Sequence, residues 1–523
     1  MAAPRRRRRM LATAALAALG AIAGTLAAAA PQPAAAKPQL RPNIITIVTD
    51  DQTLSQLSQA TMPQTLELLG NQGTTLSDLV VTTPLCCPSR ASYLSGQYGH
   101  NNGVLSNRPG YLDLIAKDNT LPVWLDKAGY ETVHVGRYLN GYKQVGGKRP
   151  APGWDQWYTS LEPRNYYKYD LQANGKTIHY GSKPKDYLTS VLNRITVKTI
   201  QKQAKRPNPF YIQLDHLAPH DEWRKTSGPC GGSAIPAPGD LAPFAATPLP
   251  AGPNYNEEDT SDKPPFIQAL APISEFAFED IQREWRCRLA SLREVDRGVA
   301  QIVATLAAKG ELDNTMITFM SDNGYYHGEH RIPFEKYVPY EEGIHVPGMI
   351  RFPVSVGAVP VIDQPVSNLD TVATILEVAG ARPCAGKACR VIDGRSILPL
   401  ARGETPDWVA GRDIVIELDR RFSIGEGFGT RPCQYQGVRN ATNIYLEYLS
   451  VPDPTDGLCR ETLQIELYDV DNDPYQLQNM FPTKPGSSER VLQQQLADQL
   501  DVLRDCAGIA GRDPVPASGH FCE

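Results

Sequence analysis

The chain has 523 residues and a formal net charge of −5, long enough for a large core and for more than one packed part. An acidic chain is a poor partner for nucleic acid, and no segment beyond residue 30 is apolar and long enough to span a membrane.

The N-terminus reads as an export signal. Five arginines at positions 5–9 precede the apolar run 11–30, and Ala34, Ala35 and Ala36 offer a small-residue cleavage site. The run is rich in alanine and is followed by Pro31 and Pro33, which favours a cleaved peptide over a permanent membrane anchor. The arginines before Met10 and Leu11 loosely resemble a twin-arginine signal of a bacterial protein exported folded; a general secretory signal is the other reading. A secreted or extracytoplasmic location follows. Removing residues 1–36 takes the formal charge to about −10, so long-range attraction to polyanions is absent, while a local basic pocket can still bind one anionic group.

Four short apolar runs predict buried strands, and each ends in groups that can do chemistry. Residues 43–49 (NIITIVT) end in Asp50 and Asp51, and 132–136 (TVHVG) lead into Arg137. Residues 209–214 (PFYIQL) lead through Asp215 to Pro219 and His220, and 315–320 (TMITFM) deliver Asp322 and Asn323. Helical patterns lie between them at 62–69 and at about 278–309, the latter stopped by Gly310. Strands alternating with helices predict a largely parallel α/β sheet with ligands beyond the carboxyl ends of the strands. Residues 228–272 are dense in Pro and Gly and read as a long irregular excursion that either walls the site or is a surface insertion.

Beyond about residue 405 the pattern changes. Strands are predicted at 413–418, 436–438, 444–449 and 466–470, with a turn at 440–443, then a helix after Ser488 with Leu492, Leu496, Leu500 and Leu503 on one face. This gives a larger α/β domain at 37–405 and a smaller α+β domain at 406–523. Ten cysteines in an exported chain point to disulfides. Besides Cys86 and Cys87, the other eight fall into neighbouring couples: Cys230 with Cys287, Cys384 with Cys389, Cys433 with Cys459, and Cys506 with Cys522. Sequential pairing is the simplest expectation, though spacing alone leaves connectivity open.

An aspartate pair at one strand end reads most readily as a cap or a solvated loop. Two strands ending in oxygen-rich pairs point further, to a hard cation, calcium first and magnesium second. Ligands at zinc spacing are missing. Pro88, Ser89 and Arg90 predict a helix running through Leu94, whose N-terminus would anchor a tetrahedral anion with Cys86 at its mouth and Arg90 adding a permanent cation. Cys87 reads as a buried thiol, and His134, inside an apolar strand, as a core histidine.

The run 84–96 (PLCCPSRASYLSG) resembles the signature of the sulfatases, in which the first cysteine is oxidised to formylglycine. Met62, Pro63, Leu68 and Leu69 before it, and Tyr98, His100, Asn101 and Gly103 after it, resemble the usual surroundings. Further matches follow in order: 136–142 (GRYLNGY), 218–220 (APH), 321–324 (SDNG) and 336–347 (KYVPYEEGIHVP). The segments are most similar to the glucosamine-6-sulfatase and heparan-sulfatase branch.

The resemblance implies an alkaline-phosphatase-like fold. It implies that Asp50, Asp51, Asp322 and Asn323 bind calcium together with an oxygen of a formylglycine made from Cys86 by a formylglycine-generating enzyme. Arg90 would stabilise that residue, while Lys336, His220 and Arg137 would contact a sulfate ester, such as that of a carbohydrate. The hydrated aldehyde would attack sulfur through one hydroxyl, and the other would expel sulfate. The acid for the leaving alcohol is His220 or Asp322. Three departures stand out: Arg137 where lysine is common, Leu139 where many arylsulfatases have histidine, and His345 where a more basic residue is usual. A related class, the phosphonate monoester hydrolases and phosphodiesterases that also use formylglycine, is the enzymatic alternative. A carbohydrate-binding protein that has lost turnover is the other, and retention of Cys86, Arg90 and the four metal-side residues argues against it.

Overall fold

The strand Asn43–Thr49 shows why a sheet forms here: all seven residues are buried, with Ile44 and Val48 in one core and Ile45 and Ile47 in another. A strand covered on both faces must be apolar throughout, which is what the continuous run encodes. Thr315–Ser321 repeats the pattern, Met316 and Met320 on one face and Ile317 and Phe319 on the other. The computed structural model describes residues 41–161, 164–222, 228–420, 431–453 and 455–523. The export segment expected at 1–36 lies outside them.

The large sheet has ten strands. Its centre is parallel, in the order Thr315–Ser321, Asn43–Thr49, Phe210–Asp215, Glu131–Arg137, Gln156–Ser160. Antiparallel pairings flank it, Gly348–Arg351 on one side and Asp170–Ala173 with Lys176–His179 on the other. Helices Leu188–Gln203 and Glu275–Lys309 cover one face, and Cys86–Ser95 with Asn368–Ala379 pack against the other core. The mixed, mainly parallel sheet agrees with the expectation. Gln156–Ser160, Asp170–Ala173 and Lys176–His179 went unpredicted because they are short and carry polar residues, so no apolar run marks them. The predicted helix at 62–69 is a short turn, Pro63–Thr65, continued by a π-helical stretch, Leu66–Asn71. Within 228–272 the regular structure consists of two short helices, Ala242–Phe244 and Pro265–Gln268, among the described residues.

A second, four-stranded antiparallel sheet is built from Ile414–Asp419, Gln434–Arg439, Asn443–Pro452 and Cys459–Asp469. Its Ile414, Ile416, Tyr435 and Tyr448 join the core of the large sheet, and its Val415, Val438 and Tyr445 pack under Leu496, Leu500 and Leu503 of the helix Ser488–Leu503. One face of the small sheet therefore docks on the main body. The four disulfides pair sequentially: Cys230–Cys287, Cys384–Cys389, Cys433–Cys459 and Cys506–Cys522. The first ties the irregular excursion to the long helix. Among the described residues no helix is long and apolar enough to cross a membrane.

Candidate active site

Strand register brings the polar groups together. Thr49 lies opposite Ser321, Val48 opposite Asp215, and Gly136 opposite Asp215, so Asp50, Asp322, Asp215 and Arg137 emerge at one edge. The approach is close enough to require glycine at 136: its φ is 116°, and a Cβ there would meet the Asp215 carbonyl oxygen at 1.9 Å. Asp51, the next residue along from Asp50, has φ 66°, which turns its side chain back over the strand ends.

Cys86 is the first residue of the helix Cys86–Ser95, which starts two residues before the predicted Pro88 and ends at Gly96 in a left-handed cap. Its thiol is fully buried and donates to Asp50 Oδ1 (3.5 Å) and Asp51 Oδ1 (3.6 Å). Burial pushes the thiol well above its ordinary value; Lys336 opposes the shift, and Asp51 and Asp322 add to it. Cys87 is buried, and its N–H donates to Asn107 Oδ1.

One helical turn on, Arg90 is the hub of the carboxylates. It pairs with Asp322 Oδ2 (2.8 Å), Asp215 Oδ1 (3.2 Å) and Asp50 Oδ2 (3.3 Å) at 1% exposure. A guanidinium so deeply buried is tolerable only with such partners, and removing one would leave charge uncompensated. Arg137 also pairs with Asp50 Oδ2 and donates to Asn140 Oδ1.

Lys336 reaches the site from a segment without regular structure. Its Nζ lies 2.5 Å from Asp51 Oδ1 and 3.0 Å from Cys86 Sγ, and both flanking residues, Glu335 and Tyr337, have φ 87°. Left-handed backbone on both sides of a buried lysine is strain that surrounding contacts must hold. Burial works against the Asp51 carboxylate, yet Lys336, His220 and Arg288 hold it well below the usual range. Gly324 lets this segment pass: a Cβ there would stand 1.8 Å from the Glu342 carbonyl oxygen.

His220 Nε2 lies 3.5 Å from Asp51 Oδ2. Its tautomer follows from its neighbours. Nδ1 faces the Asp221 carbonyl at 2.7 Å, which can only accept, and Nε2 faces Arg164 Nη1 at 3.0 Å, which can only donate. Nδ1 therefore carries the proton and Nε2 is the acceptor. Burial drives His220 well below its ordinary value; Asp51 opposes this, and Lys336, Arg164 and Arg137 reinforce it.

Asp50, Asp51, Cys86 and His220 present ligand atoms all within 4.8 Å of one another, and the buried Asn323 Oδ1 has no hydrogen-bond partner although its Nδ2 donates to Asp51 Oδ1. The oxygens of Asp50, Asp51 and Asn323 are the part of this donor set that suits a hard cation; the thiol and the imidazole are not. Asp322, expected as a ligand, lies beside this group. Its Oδ1 accepts from the Asp51 N–H (3.0 Å) and its Oδ2 from Arg90.

Three supporting groups escaped the sequence reading. Asp215 takes bonds from Tyr93, His134 and Gln213 as well as Arg90, so His134 is a core histidine that also steadies a site carboxylate. Arg288 donates to the Asp51 carbonyl from the middle of the long helix, and Arg164 to His220. A fully buried arginine on an apolar helix face was the available signal for Arg288. Leu139 is buried beside Arg137, and His345 bonds to the Ser77 carbonyl and Glu341. Part of the 228–272 excursion supports the Lys336 segment: Asn254 donates to Glu342, and Glu257 holds His330 and Arg331.

A family model described as Sulfatase matches residues 42–381. The N-acetylglucosamine-6-sulfatase of Capra hircus is 31% identical over 512 residues, covering 92% of this chain and 86% of its own. The arylsulfatase of Chlamydomonas reinhardtii is 32% identical over 505 residues, covering 91% and 76%. A solved structure described as being in complex with its substrate D-glucosamine-2-N,6-O-disulfate shares the fold at a TM-score of 0.68 and 23% identity, over 88% of this chain and 97% of that one.

Proposed function

Because the chain belongs to the sulfatase family, whose members are sulfuric ester hydrolases, we propose that it cleaves aryl or sugar O-sulfate monoesters through a formylglycine made from Cys86. An N-acetylglucosamine 6-sulfate type of ester is the first candidate substrate, supported by the likeness to the goat enzyme. The single observation that carries the reading is the setting of Cys86: a buried side chain within reach of two carboxylates, 3.0 Å from a lysine and at a helix N-terminus. That setting suits a neutral hydroxyl donor better than a thiolate. An aldehyde hydrate supplies such a hydroxyl, and its second hydroxyl allows sulfate to leave by elimination.

The chain's own residues divide the remaining work. Lys336 and Arg137 neutralise charge on the sulfuryl oxygens, and Arg90 fixes the carboxylates around position 86. The group that protonates the leaving alcohol is His220 or Asp322; Arg164 occupies the acceptor Nε2 of His220 and both oxygens of Asp322 accept hydrogen bonds, so either must exchange a partner to act. Asp50, Asp51 and Asn323, with Asp322 beside them, would hold calcium, or magnesium less readily; a bound cation supplies Lewis-acid charge neutralisation. On this reading residues 1–36 are an export signal, a formylglycine-generating enzyme matures Cys86, and the chain divides at about residue 405.

Paired assays of the matured protein on an aryl sulfate, a sugar 6-sulfate and a phosphodiester test the proposal. Faster sulfate turnover is expected; faster phosphodiester turnover would favour the phosphonate monoester hydrolase or phosphodiesterase reading instead.

A further inference from the structure

A cavity of about 550 Å³ shares none of the residues described around position 86. Its floor is apolar, formed by Ala373 and Leu376 of the helix Asn368–Ala379 together with Ile392 and the half-buried Trp408. Its wall is a hairpin. Cys384–Ala385 pairs with Ala388–Cys389, the disulfide Cys384–Cys389 closes it, and the Arg390 N–H donates to the Pro383 carbonyl at its base. Arg382 and Arg390 therefore flank the same end of the hairpin, and both line the cavity.

Four arginines and two acids occur in this lining, and two of the arginines are answered: Arg395 pairs with Glu523, and Arg512 pairs with Asp513 (2.7 Å). The other two are not. Arg390 is 8% exposed, yet its guanidinium donates to the carbonyls of Asn119 and Ile115 and makes no ion pair among the described residues. Burial lowers its pKa to about 10, with Asp393 and Asp118 opposing from further off. A buried guanidinium met by neutral carbonyls still lacks a counter-charge. Arg382 is exposed, and its side chain has no hydrogen bond or ion pair among the described residues. The second acid, Glu377, is exposed at the rim and also makes no ion pair there.

We propose that this cavity is a binding site for a small organic anion, with a carboxylate or sulfate-like group held between Arg390 and Arg382 and an apolar body resting on Ile392 and Trp408. The planar fork of each arginine matches an oxyanion, and the size and mixed lining of the cavity suit a compact ligand. Such a ligand supplies the counter-charge that Arg390 lacks. Glu377 opposes it, which gives the site a signature of two signs.

Calorimetry on the full-length protein tests the site with benzoate, benzenesulfonate and the uncharged benzamide as probes. One of the two anions is expected to bind at least tenfold more tightly than benzamide, and the tighter one identifies the anionic group. Arg382→Ala should weaken that anion about fivefold and Glu377→Gln should tighten it about twofold, both effects shrinking at high salt. Arg390→Lys, which keeps the charge and loses the fork, should weaken it further; the two rim variants decide the outcome if that protein does not fold. No binding, equal affinity for the three probes, or an affinity that neither rim variant moves would overturn the site. Inorganic sulfate bound as tightly as benzenesulfonate would overturn the role of the apolar floor. Neither maturation nor turnover enters the measurement, so its failure is separate from any failure of the sulfate-ester reading.

Discussion

Asp50, Arg137 and Asp322 reach the site from the ends of parallel strands of one sheet, whereas Lys336 arrives on an irregular arm held from outside. The strand-end half is fixed by ladder hydrogen bonds and by Arg90, so its geometry is inherited from the sheet. The arm depends on the small sheet. Tyr435 donates to the Tyr337 carbonyl (2.9 Å), Tyr340 to Glu466 (2.9 Å) and the Glu341 N–H to Gln476 (2.8 Å), and Arg431 pairs with Glu335. Glu466 also accepts from Tyr448 and Tyr468, so a buried carboxylate is satisfied by three tyrosines, one of them on the arm. The difference teaches that the C-terminal sheet is part of the support of the active site, acting through Lys336, while the candidate cation ligands are carried by the strand ends, with Asp51 also paired to Lys336 of the arm.

Substitutions sharpen this contrast. Cys86→Ala should abolish hydrolysis, with a loss on the order of 10⁶-fold in kcat as for nucleophile deletions in other covalent enzymes, measured on an aryl sulfate. Lys336→Met removes one charge-stabilising contact and should cost roughly 10²- to 10³-fold in kcat, while affinity for the proposed cation, measured by calorimetry, should rise because Asp51 loses the ammonium paired with it.

The docking of the small sheet also has a pH signature. His100 faces Glu417 of that sheet through Nδ1 (3.0 Å) and the Cys506 carbonyl through Nε2 (3.0 Å), so both nitrogens act as donors in the charged form. Burial alone would lower its pKa, but Glu417 overcomes this and raises it to about 9 from the ordinary 6.5. The protonated pair stabilises the fold fully below about pH 6.5, and that contribution is lost as pH rises through about 9. Chemical denaturation should show a loss on the order of 3 kcal/mol across this window, absent in His100→Gln. An identical pH slope in the variant would remove His100 from the account.

Smaller effects test the arm directly. Glu466→Gln leaves tyrosine hydroxyls short of an acceptor and should cost about 1–3 kcal/mol of stability, with a fall in kcat and unchanged calcium affinity. Tyr435→Phe removes one bond to the arm and should cost about 1 kcal/mol by the same denaturation measurement. A fall in calcium affinity in either variant would break the separation between the two halves.

This division also explains what the sequence disclosed. The central strands were legible because burial on both faces demands unbroken apolar runs, and Asp50, Asp51, Asp322 and Asn323 were legible because they follow those runs directly. Lys336 sits on no periodic element, so only its motif marked it. The partners of Arg90 and His220 were hidden for a different reason: Asp215 meets Arg90 across a strand and a helix, and Arg164 meets His220 between two loops far apart in the chain, so both contacts are tertiary. His220 joins the candidate ligand group, and Asp322 turns toward Arg90 and the Asp51 N–H, because side-chain direction at a strand end depends on what the adjacent strand presents.

The central claim is that turnover belongs to a formylglycine at position 86. The most direct test matures the protein to graded extents, determines by mass spectrometry the fraction of Cys86 converted, and measures sulfate-ester hydrolysis on each preparation. The rate is expected to be proportional to that fraction, with none at zero conversion. Undiminished hydrolysis by protein whose Cys86 is wholly unmodified would contradict it.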